Sequence, residues 1–286
     1  SAYVSGSGGN INSGSTSRPG GNGQPGVPPG DYNSDYNYTP GLGSLSEKYE
    51  SRGNPGIIGQ DSTGGWSYGK YQLASKVGAI GAFHAWLGQT YPDLYSSLQA
   101  AGGESGAKAG TVAYKAAWQQ VMTTDQGSQA QSEYAGLRYY GPVVKQVLDR
   151  TGLDVDQRSL TVKQVLFSSA IQHGEGSGCR RIFENALAAL NYPPSVPTTT
   201  APTDAALIRA VYAERRRGNG MAHFPSSTAA VRQSVVNRFH NEEADAHKSL
   251  AQEIKKAQET PPTVDPTDNS AATETVKPTA PPSNAQ

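Results

Sequence analysis

Tyr49-Glu50-Ser51-Arg52-Gly53-Asn54-Pro55-Gly56, then Gln60-Asp61, then Gly64-Gly65-Trp66-Ser67-Tyr68-Gly69-Lys70-Tyr71-Gln72-Leu73, decide how this chain is read. Just upstream, Ser44-Leu45-Ser46-Glu47 fits the capping box, in which a serine caps a helix and a glutamate three residues on bonds back to it. Leu45 and Tyr49 then fall one turn apart on one helix face. Gly53 is suited to end that helix in the left-handed conformation, and Pro55 bars it from resuming. Glu50 therefore belongs to the last helical turn. Residues 57–61 and 66–71 are short β-prone runs, and the turn cluster Ser62-Thr63-Gly64-Gly65 separates them. The expectation is a hairpin with Asp61 at the end of its first strand and Ser67 folded back beside it.

Two acids and a hydroxyl brought together in this way suit glycoside cleavage. That reaction needs a protonated acid on the leaving oxygen and a carboxylate that stabilises positive charge or activates water. Glu50 suits the first role, since the negative end of the helix dipole and burial against Tyr49, Trp66 or Tyr71 would both raise its pKa, with Arg52 opposing. Asp61 suits the second, and Ser67 would orient the water. A lone glutamate near a helix end is ordinarily a solvated surface residue. It is the acid and hydroxyl that follow which give Glu50 a function.

A helix-end Glu, an Asp on a hairpin eleven residues later and a hydroxyl six further on resemble the lysozyme superfamily, in spacing the phage-type lysozymes. Lys48-Tyr49-Glu50-Ser51 together with the segment from Gly64 to Leu73 more narrowly resembles lysozyme-like modules of phage-tail and secretion-spike cell-wall hydrolases. Two further segments match such modules: Ser169-Ala170-Ile171-Gln172-His173-Gly174 and Ile208-Arg209-Ala210-Val211-Tyr212-Ala213-Glu214-Arg215. The resemblance spans about residues 44 to 250, and departs from the pattern at the apolar Ile57-Ile58. It implies a mainly α, α+β lysozyme-like fold with one small hairpin. It also implies Glu50 as general acid, Tyr68, Tyr71, Gln72, Gln172 and His173 along the sugar cleft, the β-1,4 glycan of peptidoglycan as substrate, and no metal or cofactor. Three alternatives stay open: a lytic transglycosylase using Glu50 alone, a chitosanase-like choice of sugar, and a structural virion or tail protein whose lysozyme-like domain is inactive.

Composition bounds the rest. Of 286 residues 35% are hydrophobic, with 33 Gly and 19 Pro, which is low for a wholly globular chain. One domain with tails is expected: a Gly/Ser/Pro-rich tail over 1–43, the catalytic domain over 44–256, and a Pro/Thr-rich tail over 257–286. Such tails cannot bury enough apolar surface to offset their ordering entropy, so they are expected to be disordered or held by partners. Lys+Arg and Asp+Glu balance at 24 each, so net charge gives no argument for nucleic acid. The single Cys179 allows no internal disulfide and no thiolate cluster for zinc. With no run of eighteen apolar residues and no basic-then-apolar leader, the expectation is delivery by a larger particle. A phage virion is the first choice and a secretion spike or secreted effector the second, with the tails contacting other particle proteins.

Helical spacing organises the remainder. Leu73, Val77, Ile80, Phe83 and Leu87 predict a helix behind the cleft, with His84 half-exposed on it. Pro92 to Leu98 reads as a short helix, Ala101 to Gly110 as a small-residue loop, and Val112 to Val121 as a third helix. Gln129 to Tyr140 is a fourth, broken by Gly141-Pro142 before Val143 to Leu148. Val162 to Ile171 is placed at the centre of the domain, followed by Phe183 to Leu190. Thr203 is expected to cap Asp204 to Arg217, whose Arg215-Arg216-Arg217 reads as cations favoured at a helix end. A long final helix carries Val231, Val235, Phe239, Ala246, Leu250 and Ile254, with Glu242, Glu243 and Asp245 on its solvated side.

Overall fold

Residues 39–49, 54–62, 64–76, 78–192 and 201–260 are described by the structure, a computed structural model. Glu50, Ser51, Arg52, Gly53, Thr63 and Val77 lie outside the described residues, as do 1–38, 193–200 and 261–286. The readings of Gly53 as helix stop and of both tails therefore fall outside them too. Helix α1 (Ser44–Tyr49) precedes an antiparallel sheet of β1 (Ile58–Gln60), β2 (Trp66–Tyr68) and β3 (Leu73–Ala74) in that order. The rest is helical: α2 (Ala79–Thr90), α3 (Pro92–Ala100), α4 (Gly103–Ala109), α5 (Val112–Val121), α6 (Asp125–Ala135), α7 (Gly141–Thr151), α8 (Leu160–His173), α9 (Gly178–Ala189), α10 (Asp204–Arg215) and α11 (Ala229–Glu259). The fold is mainly α with one small sheet, as the sequence predicts.

The sheet sorts the hairpin residues onto two faces. Ile58 pairs with Tyr68, Gly59 with Ser67 and Gln60 with Trp66; Ser67 and Tyr68 pair in turn with Ala74 and Leu73. Directly opposed residues share a face. One face, with Ile58, Trp66, Tyr68 and Leu73, turns to the core: Tyr68 is wholly buried and packs edge-on against Tyr114, with ring centroids 5.1 Å apart. The other carries Gly59, Ser67 and Ala74. The ladder continues past β1 through Asp61 N–H to the Gly65 carbonyl at 2.8 Å, so Asp61 and Gly65 fall on the Ser67 face as well.

Behind the sheet, Phe83, Trp86, Tyr114, Trp118 and Tyr134 make an aromatic core in which every ring is fully buried. Central α8 is buried along most of its length, and α9, α10 and α11 pack around it. Thr203 caps α10 by accepting from Ala206 N–H at 3.2 Å.

Four expectations are corrected. Leu73 belongs to β3, and the helix behind the sheet starts only at Ala79, after Gly78. Residues within 101–110, expected as a loop, include α4, whose Gly106 and Ala107 are buried against neighbouring helices. Gly141-Pro142 does not break the chain's helical course: a π-helical turn, Gly136–Tyr140, joins α6 to α7, and Gly141 N–H bonds back to the Gly136 carbonyl. Proline lacks an N–H to donate, and a widened turn just ahead of it relieves the ring's clash with the preceding carbonyls. His84 is buried rather than half-exposed; its Nε2 lies 2.7 Å from the Tyr114 hydroxyl, and burial pushes its pKa down to about 4, with Glu104 opposing.

Candidate functional site

The solvent-facing side of the sheet brings together Asp61, Ser67 and Gln72. Asp61 is exposed, while Ser67 and Gln72 are half-buried. Two glycines make room on this face. A Cβ on Gly65 would meet Asp61 Oδ2 at 2.5 Å, and one on Gly59 would meet Gln72 Oε1 at 2.5 Å. Asp61 Oδ1 accepts the Gly65 N–H at 2.8 Å, so the carboxylate that the sequence assigns to chemistry also ties its own turn.

The segment Tyr68-Gly69-Lys70-Tyr71-Gln72, expected to line a sugar cleft, divides differently. Tyr68 donates its hydroxyl to the Ala107 carbonyl at 2.8 Å, and burial pushes its pKa up to about 12. Tyr71 is 3% exposed, donates to Glu47 Oε1 at 2.9 Å and packs on Phe167. Neither ring is open to a glycan, and both are corrected to supports of the sheet. Gly69 has φ +81°, and any Cβ there would strike Gln131 Oε1 at 2.1 Å and Trp118 at 2.7 Å, which explains the glycine. Gln72 is half-buried; its left-handed φ of 48° turns the side chain over Gly59, with Nε2 donating to the Gly69 carbonyl at 2.9 Å.

Helix α1 is fastened at its last described residues to α11. Lys48 Nζ reaches Asp245 Oδ2 at 2.6 Å, and the Tyr49 hydroxyl donates to the same oxygen. Those bonds hold Asp245 below the usual carboxylate range, and burial with the Asp245 bond raises the Tyr49 phenol. The Arg238 guanidinium stands 5.9 Å from the Tyr49 ring. Glu50, next in the chain, lies outside the described residues.

Gln172 and His173, at the end of α8, are half-buried and join a set of charges that sequence reasoning placed on the surface. Gln172 Oε1 accepts from Arg238 Nη1 at 2.9 Å, and His173 Nε2 accepts from Arg215 Nε at 3.1 Å. Burial, then the Arg215 charge, holds the His173 pKa well below its ordinary value. Glu242 and Arg215 are both fully buried and pair at 3.3 Å. Glu242 Oε1 also accepts from Tyr212 at 2.9 Å and from Ser168. Arg216 pairs with Glu243 at 2.7 Å and Arg217 with Glu214 at 3.0 Å. The arginine run is thus three separate ion pairs, and Glu242 lies in the core. One signal was present in the sequence: Phe239, Glu242, Ala246 and Leu250 fall at helical spacing on one stripe, as do Ile208, Val211, Tyr212 and Arg215.

A pocket of about 410 Å³ lies elsewhere, on the side of α1 that carries Ser44 and Glu47, with Lys70 and Ser132 in its wall. Among the described residues no group of three or more His, Cys, Asp or Glu side chains has the geometry to hold a metal ion. Among them, too, no helix is long and apolar enough to cross a membrane.

No curated protein and no solved structure matches the chain. The family model described as type VI secretion system spike protein VgrG3-like, C-terminal, matches residues 42–243, from the start of the folded core into α11, and the chain belongs to that family.

Proposed function

We propose that the chain is a glycosidase of lysozyme-like type, delivered by a secretion spike, that cleaves the β-1,4 glycan of peptidoglycan. The observation that carries the reading is the shared, solvent-facing placement of Asp61 and Ser67 on a hairpin that follows a helix whose last described residue, Tyr49, directly precedes Glu50. Glu50 protonates the glycosidic oxygen, Asp61 supports the oxocarbenium-like transition state or the attacking water, and Ser67 places that water. Gln72, Gln172 and His173 hold the sugars. Membership in a spike family supports contact with other secretion-particle proteins and action in the bacterial envelope; nothing in the match carries a virion.

A second reading, a lytic transglycosylase with Glu50 as sole acid and base, is favoured by one observation: Asp61 Oδ1 is already committed to the Gly65 N–H. One experiment tests both. Purified cell walls are digested with the wild type beside Glu50→Gln, and product ends are read by mass spectrometry. Plain reducing ends are expected from the wild type, with turnover lowered ~10²- to 10⁴-fold or more in the variant. Anhydro ends would select the transglycosylase. Near-normal turnover by a folded Glu50→Gln protein would remove the site assignment altogether.

A further inference from the structure

Trp66 is the neighbour of Ser67 on β2 but lies on the other face of the sheet. Its indole, with Ile58 of β1 and with Val112, Lys115, Ala116 and Gln119 of α5, lines a groove of about 380 Å³ between the sheet and that helix. We propose that this groove docks the peptide stem of peptidoglycan, a carboxylate of the stem meeting Lys115 and its backbone adding to the open edge of β1. The inference rests on the glycan reading above and deepens it, because it gives the enzyme a hold on a part of the substrate that it does not cleave.

The groove is built before any ligand arrives. Trp118 Nε1 donates to the Pro55 carbonyl at 2.9 Å, which ties α5 to the residues that enter β1. At the other end of the groove Gly110, with φ +62°, leaves room for the Trp66 indole, which a Cβ there would strike. Val112, Lys115, Ala116 and Gln119 recur at helical spacing on one face of α5, and Val112 is 83% exposed. Lys115 Nζ stands 3.9 Å from the centroid of the Trp66 ring. Among the described residues no carboxylate pairs with it. The strand beside the groove is also open. β1 is an edge strand, and Asp61 N–H to the Gly65 carbonyl and Gly69 N–H to the Ile57 carbonyl set the phase of its ladder. Ile58 and Gln60 therefore turn their N–H and C=O groups away from β2. Ile58 belongs to both features, with its side chain in the groove and its backbone on the free edge.

These parts suit a peptide better than a sugar. A sugar stacks on an open aromatic face, and here the ammonium of Lys115 covers the indole. A half-buried ammonium held on a ring attracts a carboxylate, the apolar Ile58 and Val112 suit short aliphatic side chains, and a free strand edge pairs with an extended backbone. The peptide stem carries all three: free carboxylates, alanine methyl groups and amide bonds. It is also attached to the glycan that the reading above places on the Asp61 and Ser67 face. The edge of β1 joins that face to the groove. An extended stem of about four residues spans roughly 13 Å, against the roughly 10 Å that separates packed sheets, so it can pass the edge from one face to the other.

The test uses the full-length protein and two measurements. In the first, the tetrapeptide stem released from purified cell walls by an amidase is titrated into ¹⁵N-labelled wild type, and the indole N–H resonances are followed. The Trp66 resonance, assigned with Trp66→Phe, is expected to move, while those of the fully buried Trp86 and Trp118 stay in place. Lys115→Gln should weaken binding about threefold to tenfold, and Val112→Asp, which sets a like charge at the rim, should weaken it further. In the second, turnover is compared on intact walls and on the same glycan stripped of its stems. KM of the wild type should be lower on intact walls, and Lys115→Gln should remove that difference with kcat unchanged on both. A Trp66 resonance that ignores the tetrapeptide, binding unaltered in Lys115→Gln, or equal KM on the two substrates would each overturn the inference while leaving the glycosidase reading standing. Equal or tighter binding of an all-L peptide of the same charge would also overturn it, in favour of a protein partner. A wild type that cleaves neither substrate while its Trp66 resonance still answers the tetrapeptide would remove the glycosidase reading and leave the peptide site in place.

Discussion

On the sheet side of the candidate site, Asp61 and Ser67 stand on or beside strands of three residues and are held by a backbone ladder and two glycines that leave space for side chains. On the helix side, Glu242 and Arg215 are enclosed without solvent contact and are held by side-chain bonds drawn from α8, α10 and α11. The sheet residues remain wet, and little is lost if one of them changes. The helix residues gave up hydration on folding, and each depends on the other to compensate for it. A buried ion pair of this kind is a poor source of net stability, but its interruption is severe. The same carboxylate-to-amide change should therefore have very different consequences on the two sides.

The largest effect is expected at Glu242. Glu242→Gln leaves the Arg215 charge buried and uncompensated, at a cost of about 3–5 kcal/mol in urea unfolding. Replacing the pair together, with Glu242→Leu and Arg215→Met, should return most of that stability while still losing the hold on His173. A cost below about 1 kcal/mol for Glu242→Gln would mean that the arginine reaches water and that the two sides do not differ as described.

His84 carries the next effect, from the aromatic core behind the sheet. Its pKa is lowered from 6.5 to about 4 by burial, so the folded state refuses a proton that the unfolded chain accepts. Stability from this residue is therefore full above pH 6.5, declines as pH falls from there to about 4, and levels off below. The span corresponds to about 3 kcal/mol. Melts of the wild type and His84→Gln across that window should converge toward acid pH. Parallel curves would mean that His84 is not the group responsible.

A smaller effect is expected from Gly59→Ala. The added Cβ meets the far end of the Gln72 side chain, which must give up its bond to the Gly69 carbonyl. Loss of that bond costs about 1 kcal/mol, offset in part by the reduced freedom of the unfolded chain. Stability should change by less than about 1 kcal/mol. If Gln72 holds sugar, KM should rise with kcat nearly unchanged. An equal fall in kcat would place Gln72 nearer the reacting bond.

The same contrast explains what could be read from the sequence. The hairpin was legible because turn chemistry and β-prone runs are local signals: residues 62–65 supply the first, and 57–61 with 66–71 the second. Strand β3 was not, because Leu73, Val77 and Ile80 fall at helical spacing by chance and two paired residues leave no period of their own. Helix α4 was hidden by its glycines, which tertiary packing overrides. Tyr68 and Tyr71 looked like a sugar platform because their type suits either a cleft or a core, and only burial separates the two. The ion network was missed for a more general reason. Charged residues were assigned to the solvated face by type, although Glu242 and Arg215 occupy positions on the apolar stripes of α11 and α10. Position on the stripe was the better guide.

The smallest structural effect, and the one that most sharpens the comparison, belongs to Asp61→Asn. Asp61 is exposed, and its Oδ1 accepts the Gly65 N–H, a bond that an asparagine carbonyl oxygen can accept equally well. The turn should survive, with stability altered by less than about 0.5 kcal/mol. Activity is then read free of any folding defect, a separation that Glu242→Gln cannot offer. If the negative charge supports an oxocarbenium-like centre or draws a proton from water, its removal should lower kcat by about 10²- to 10³-fold while KM stays close to normal. If Asp61 serves only to tie its turn, kcat should fall by less than about threefold, since the amide keeps that bond. The second outcome, joined to anhydro product ends, would assign the chemistry to Glu50 alone and leave the hairpin as scaffold. Measured on cell walls beside Ser67→Ala, the variant also tells whether acid and hydroxyl act on one water: two losses that fail to add would mark a shared target, and fully additive losses would mean that each acts on its own.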